Sequence, residues 1–330
     1  MKRLAASFEV AGRERGCRES ERRAAALAAV RAYREAMRRF AGMRDLDVWY
    51  SRFDVEAYVR QSGAGKKQMK AYEKGMAKAR NKDSLRALSR LSHDVGGRRR
   101  IVSDPPLIVP IDELAGAAVE VEPGLRTLLA TYRKTLDCDR RMIAARYEYA
   151  DAAHKVVGVG SVGARAWIIL LLGRNGDDPL FLQAKEAQRS VLEPYAGKSR
   201  FAHQGRRVVE GQRMMQAASD IFLGWVRAHG LDGHEDYYVR QLWDGKRSLE
   251  VEAMGPAELA RYGQVCGWTL ARAHARSGDR EAIAAYLGSG TAFDEAIADF
   301  AQAYADQNER DYESLLEEVR AGRLEVREGI

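Results

Sequence analysis

Three glycines, Gly158, Gly160 and Gly163, stand in KVVGVGSVGARAW with Ser161 among them, and Lys185 follows in PLFLQAKEA. Glycines let backbone N–H groups approach an anion with no Cβ in the way, and a lysine on a neighbouring strand supplies positive charge. The chemistry that these residue types could do is phosphate recognition. Glu210, in RVVEGQRMM, adds an acid that could orient the lysine, and Glu186 and Glu193 compete for that part. Leu242, in YYVRQLWD, lies where a later strand would end.

A GxGxxG string is weak alone, so the elements around it decide its meaning. In a dinucleotide-binding fold the third glycine opens a helix, and an acid about 20 residues later reaches a ribose. Here ARAWIILLLGRNGDD lacks a polar face and ends in the turn pair Asn175-Gly176, so a strand is expected. The order becomes strand, glycine loop, strand over Ala166 to Leu172, turn, and a strand ending on Lys185. Protein kinases place a glycine loop between two strands, a lysine on the third, and a lysine-paired glutamate on the next helix. On that reading Gly158, Gly160, Ser161 and Gly163 cover the phosphates, Lys185 contacts the α and β phosphates and Glu210 orients Lys185. The chain from Leu242 to Asp244 is then the hinge that holds the adenine. A plainer reading stands beside each residue: glycines that make turns, a lysine that ends a strand, a glutamate in a surface ion pair. His274, in LARAHARSGD, looks like a catalytic-loop histidine but lies on an apolar helix face, which favours packing.

The rest of the chain frames this stretch. Helical periodicity runs from the N-terminus to about Phe40, and Asp45 to Gln61 reads as a further helix. Gly63 to Arg90 is basic and helical in part, up to Gly96-Gly97, and Pro105, Pro106 and Pro110 then favour an extended segment. Pro123 to about Ala153 is expected as one long helix, and Arg206 to Ala218 as another. Ile221 to Val226 and Tyr237 to Leu242 read as strands around a turn at His229 to Asp236. Pro256 to Ser277 and Ala292 to Val319 complete the helices. The expected fold class is α+β, protein-kinase-like: a small antiparallel sheet lobe with one key helix, and a predominantly helical lobe. The expected organisation is a helical region over 1–150, a glycine-loop sheet lobe over 151–245, and a helical region over 246–330 that completes the larger lobe.

Composition narrows the class. With 31% charged and 46% hydrophobic residues in 330, the chain is ordinary for a soluble globular protein, and disorder is not the default. No apolar run approaches the roughly 18 residues of a membrane span, and the N-terminus lacks an apolar signal core, so a cytoplasmic protein with no membrane partner is expected. Three scattered cysteines argue against a disulfide framework or structural zinc. The net charge is +7, yet Lys66 to Arg100 alone holds twelve Lys or Arg against three acids. The alternative to a nucleotide site is therefore a non-enzymatic nucleic-acid or polyanion-binding module on that segment. The interleaved Met69, Tyr72 and Met76 suit helix packing and favour a solvated face instead.

The strings KRLAAS, RRRIVSDPPLIVP, KVVGVGSVGARAW, PLFLQAKEA, RVVEGQRMMQAASDIFLGW, GWTLARAHARSGD and AFDEAIADFAQAYADQ together resemble the domain of unknown function 2252 family, over nearly the whole chain. The resemblance implies a distant, kinase-like relative of the aminoglycoside phosphotransferases, with ATP and Mg²⁺ as cofactors and an unknown phosphate acceptor. Members usually carry an N-terminal GDxHxxN string and an aspartate-rich strand, whose counterparts in phosphotransferases supply the catalytic aspartate and the metal-binding asparagine and aspartate. Neither motif is present here. The resemblance thus implies a circularly permuted kinase order and a chain without the catalytic and metal-binding half. It implies an ATP-binding protein that is inactive or incomplete as a transferase, with no catalytic or metal residue assigned and Mg²⁺ bound only with the additional segment.

Overall fold

The computed structural model describes residues 1–54, 84–115, 122–156, 164–174, 178–230, 233–242 and 249–326. It is a mixed α+β structure in two compact units. One takes residues 1–58, 214–217 and 248–330, and the other residues 59–213 and 218–247. The described residues of 84–115 and 122–150, expected with the helices, cluster with the sheet.

The first unit is helical among the described residues, with helices Lys2–Glu14, Glu19–Ala41, Asp45–Tyr50, Pro256–Ser277, Arg280–Leu287 and Ala292–Arg320. Its seam is built of small residues. Gly267 packs so close to the 19–41 helix that a Cβ there would run into the Ala29 backbone oxygen, and Gly263 meets Ala25 and Ala29. Around this seam, Tyr33, Met37 and Phe40 pack with Ala271, Ala275 and Leu287. The chain's own chemistry sets the helix starts. Pro256 occupies the first turn, where no N–H is needed, and Asp279 accepts hydrogen bonds from the Glu281 and Ala282 amides at 3.1 and 2.9 Å. That cap opens the 280–287 helix, in a stretch to which the sequence reading assigned no element.

The second unit holds eight strands among the described residues: β1 (Ser92–Val95), β2 (Arg98–Ile101), β3 (Ile108–Pro110), β4 (Glu148–Lys155), β5 (Ala166–Leu172), β6 (Pro179–Glu186), β7 (Gly224–Gly230) and β8 (Gly233–Gln241). β1 and β2 form a hairpin through Gly96 and Gly97, whose φ angles of 60° and 80° fit a tight primed turn. The other six make one antiparallel sheet in the order β3-β4-β5-β6-β8-β7. Both faces of β5 and β6 are covered. Leu171, Leu180, Leu182 and Ala184 meet Leu129 and Tyr132 of the Glu122–Arg133 helix. Ile168, Leu170 and Phe181 meet Ala87, Leu88 and Leu91 of the Ser84–Leu91 helix. Burial on two sides is why AWIILLL is apolar throughout and shows no polar stripe.

Several expectations need correction. The single helix expected over Pro123 to Ala153 is three elements: Glu122–Arg133, Cys138–Ala144 and β4. Once Tyr149, Asp151, Ala152 and Ala153 pair with β5 they alternate between faces, and their pairing overrides helix propensity. The helix from Asp45 ends at Tyr50, its expected remainder through 54 is not helical, and 55–61 lie outside the described residues. Gly96-Gly97 turns a hairpin rather than closing a helix. β7 begins at Gly224, and β7 and β8 run on to Gly230 and from Gly233, so their turn is tighter than His229 to Asp236. No helix among the described residues is long and apolar enough to cross a membrane.

Candidate anion site on the sheet

Lys185 is the penultimate residue of β6, and the register places it in a row across the sheet. It lies opposite Ala166 of β5 and Tyr238 of β8, and Tyr238 lies opposite Trp225 of β7. Side chains alternate along strands. Because Ala184, Val239 and Val226 face the 122–133 helix, Lys185, Tyr238 and Trp225 project from the other face. Arg240, two residues beyond Tyr238 and opposite Gln183, shares it. So does Lys155 at the end of β4, two residues after Ala153, which packs there with Ile168 and Phe181.

Among the described residues no ion pair forms on Lys185 or Arg240, and the Arg240 Nε is buried with no hydrogen-bond partner. Burial, and then the Arg240 charge, hold the Lys185 ammonium below the usual lysine value. Burial lowers Lys155 as well, although there the Asp104 carboxylate opposes the shift. A half-buried lysine beside an unneutralised arginine is a poor arrangement for an empty surface and a good one for an anion.

The helix Gln204–Met215 lies on the same face. Its Gln204 amide donates to Asp236 at 2.6 Å, and Gly205 sits where a Cβ would strike the Tyr237 carbonyl. The guanidinium groups of Arg206 and Arg213 stand 5.5 and 6.0 Å from the Trp225 ring centroid. Glu210 therefore belongs to a helix packed against the sheet face that carries Lys185. Its carboxylate, however, lies 3.6 Å from Arg206 and makes no ion pair with Lys185. The two rival acids are also engaged elsewhere: Glu186 accepts the Arg165 amide at 3.1 Å, and Glu193 lies 3.8 Å from Arg189.

Gly158, Gly160, Ser161 and Gly163 lie outside the described residues. The segment that carries them joins β4 to β5, and Ala166, which opens β5, stands directly opposite Lys185. Leu242 follows β8, donates its amide to the Phe181 carbonyl at 2.9 Å, and packs with the core on this face. Asp244 lies outside the described residues. His274 is a packing residue: its Nδ1 lies 2.8 Å from the Tyr33 hydroxyl, and burial lowers its pKa. In the basic segment, residues 55–83 lie outside the described residues, and Arg100 is taken up by Asp112 and by Asp151 at 3.2 Å. The opposite face of the sheet encloses an apolar cavity of about 430 Å³ lined by Leu125, Leu128, Trp167 and Ile169. Lys185 does not line it, so it is separate from the cation cluster.

Sequence reasoning missed Arg240 and Lys155. Alternation in YYVRQL could have put Arg240 on the face of Tyr238, but only strand register puts it beside Lys185. Among the described residues no group of three or more His, Cys, Asp or Glu could hold a metal ion.

Fold and site together define a mixed α+β protein whose antiparallel sheet presents an unneutralised cation pair beside a glycine-rich connection. The chain belongs to the domain of unknown function 2252 family, described as an uncharacterized protein conserved in bacteria, which matches residues 1–318. No curated protein and no solved structure matches it.

Proposed function

We propose that the sheet unit is a kinase-like nucleotide-binding module, of phosphotransferase ancestry, that holds the phosphates of ATP on the face bearing Lys185. The observation that carries this reading is the Lys185–Arg240 pair, half-buried and without a carboxylate partner among the described residues, with Lys185 opposite the start of β5. The order of parts supports it. A glycine-rich connection joins β4 to β5, the lysine lies on β6, and a helix bearing Glu210 lies between β6 and β7, as in the kinase arrangement. Lys185 and Arg240 would take the phosphate oxygens, and Gly158, Gly160, Ser161 and Gly163 would supply backbone donors. The described residues assemble no carboxylate set for Mg²⁺, so no transfer step is assigned to them. When bound, Mg²⁺ neutralises charge on the phosphate oxygens. The acceptor of a phosphoryl group is not specified by this face.

The test is an ATP titration, with and without Mg²⁺, against the wild type, Lys185→Met and Arg240→Leu. Both substitutions are expected to weaken ATP by about tenfold or more, the loss of one charge-assisted contact. Wild-type affinity in both variants would sink the reading. Binding that instead falls steeply with salt and is equal for ATP and an unrelated polyanion would transfer it to the Lys66 to Arg100 alternative.

A further inference from the structure

A second uncompensated positive site lies within the helical unit. Arg272, on the 256–277 helix, has 4% of its surface exposed. Its Nε donates to the Ser51 carbonyl oxygen at 2.7 Å, while its Nη2 is buried with no hydrogen-bond partner. One helical turn further, Arg276 donates Nη1 to the Gln216 carbonyl at 2.6 Å. Its guanidinium lies 3.7 Å from the centroid of the exposed Trp49 ring, and its Nε is buried and unpartnered. Arg52, next to Ser51, is the third member. Burial, followed by the charges of Arg276 and Arg52, lowers the Arg272 pKa from its ordinary value.

Among the described residues no carboxylate pairs with Arg52, Arg272 or Arg276. The contrast within the unit is Arg34, also buried, whose guanidinium is fully matched by Asp294. Packing at the C-terminal end of a helix accounts for one arginine there, but not for a buried guanidinium with an unsatisfied donor that faces the like charges of two more. An arginine buried without an acceptor is costly, and an oxyanion is the group that relieves it. Guanidinium forks match the oxygens of phosphate, and three positive charges favour a multivalent anion over a single carboxylate. We propose that Arg52, Arg272 and Arg276 form a binding site for a phosphate group, with Trp49 as one wall. The site shares no residue with the Lys185 face and does not depend on the nucleotide reading.

The experiment titrates inorganic phosphate against the full-length protein, at constant ionic strength balanced with chloride, and follows melting temperature and calorimetric heat. Phosphate is expected to raise the melting temperature saturably. Arg276→Gln and Arg52→Gln, both at partly or fully exposed positions, are expected to weaken phosphate at least about tenfold. Arg272→Met is expected to melt above the wild type without phosphate, since it removes a buried repelling charge, and to gain nothing when phosphate is added. Arg18→Gln, at an exposed position outside both cation clusters, is expected to keep the full response. An equal response to chloride, wild-type phosphate affinity in both glutamine variants, or an equal loss of the response in Arg18→Gln would each overturn the site.

Discussion

In the helical unit the Arg34 guanidinium meets both oxygens of Asp294 through contacts of 2.8, 3.0 and 3.1 Å, and both side chains are almost wholly buried. Glu9, also buried, is answered by Arg13 at 3.1 Å and Arg22 at 2.8 Å. On the sheet, Lys185 and Arg240 share a face, and among the described residues no acid pairs with either. A fold needs the first kind of arrangement, because a desolvated charge must find its opposite nearby. It has no structural use for the second. The difference separates charges matched within the architecture from charges that the described residues leave unmatched, without appeal to any motif.

The comparison breaks most visibly at Arg34. Arg34→Met leaves Asp294 buried and unpaired, and is expected to cost about 3–5 kcal/mol of unfolding free energy. Replacing both partners, Arg34→Met with Asp294→Leu, is expected to recover most of that loss. Urea unfolding of the three proteins measures both effects. A single variant within about 1 kcal/mol of the wild type would show that the pair does not behave as buried.

Arg240→Leu is the counterpart on the sheet and has a smaller expected effect on folding. No ion pair is lost, and a like charge is removed from beside Lys185, so stability should stay within about 1 kcal/mol of the wild type or rise. The same urea measurement distinguishes the cases. A loss of about 3 kcal/mol or more would mean that Arg240 has a structural role and that its lack of an acid has been misread.

How much of this was legible in the sequence follows from which forces act locally. The 256–277 helix carries its own start signal in Gly255-Pro256, and the 19–41 helix its own apolar stripe, so both were readable. β5 and β6 were readable because an apolar run without a polar face, bounded by Asn175-Gly176, has few other outcomes. β4 was not. YEYADAAHK is tolerable as helix or strand, and only its pairing with β5 decides between them. The hairpin at Gly96-Gly97 was misread because two glycines can equally end a helix. At the site, Lys185 was visible from its strand, whereas Arg240 and Lys155 become its neighbours only through register. Glu210 was placed on the right kind of helix, but a 3.6 Å approach to Arg206 four residues earlier decides which cation it meets. Arg272 was hidden inside LARAHARSGD, where the histidine drew attention and the buried guanidinium gave no local sign.

The smallest expected effect concerns pH and tests the comparison from the histidines. Burial lowers the pKa of His274 in the helical unit and of His154 in the sheet unit. It also lowers His203, where Asp236 opposes the shift. A histidine with a depressed folded-state pKa binds fewer protons folded than unfolded over that interval, so stability rises with pH there. The contribution is complete above the ordinary value of about 6.5 and is lost as pH falls through the lowered folded values. Melting temperature is thus expected to fall between about pH 6.5 and pH 5, before the carboxylates titrate. Asp151, whose pKa burial raises despite amide bonds from Ile101 and Ala152, acts in the opposite sense, favouring the folded state as it takes up its proton. His274→Gln should flatten the fall, because a neutral amide can keep the Tyr33 hydroxyl contact without a proton to gain. Lys185→Met and Arg240→Leu should leave the slope unchanged, since neither side chain is among the groups that shift these histidines. A wild-type slope in His274→Gln would mean that its imidazole is already protonated or solvated in the folded protein, and would remove it from the packing class to which its contact with Tyr33 assigns it.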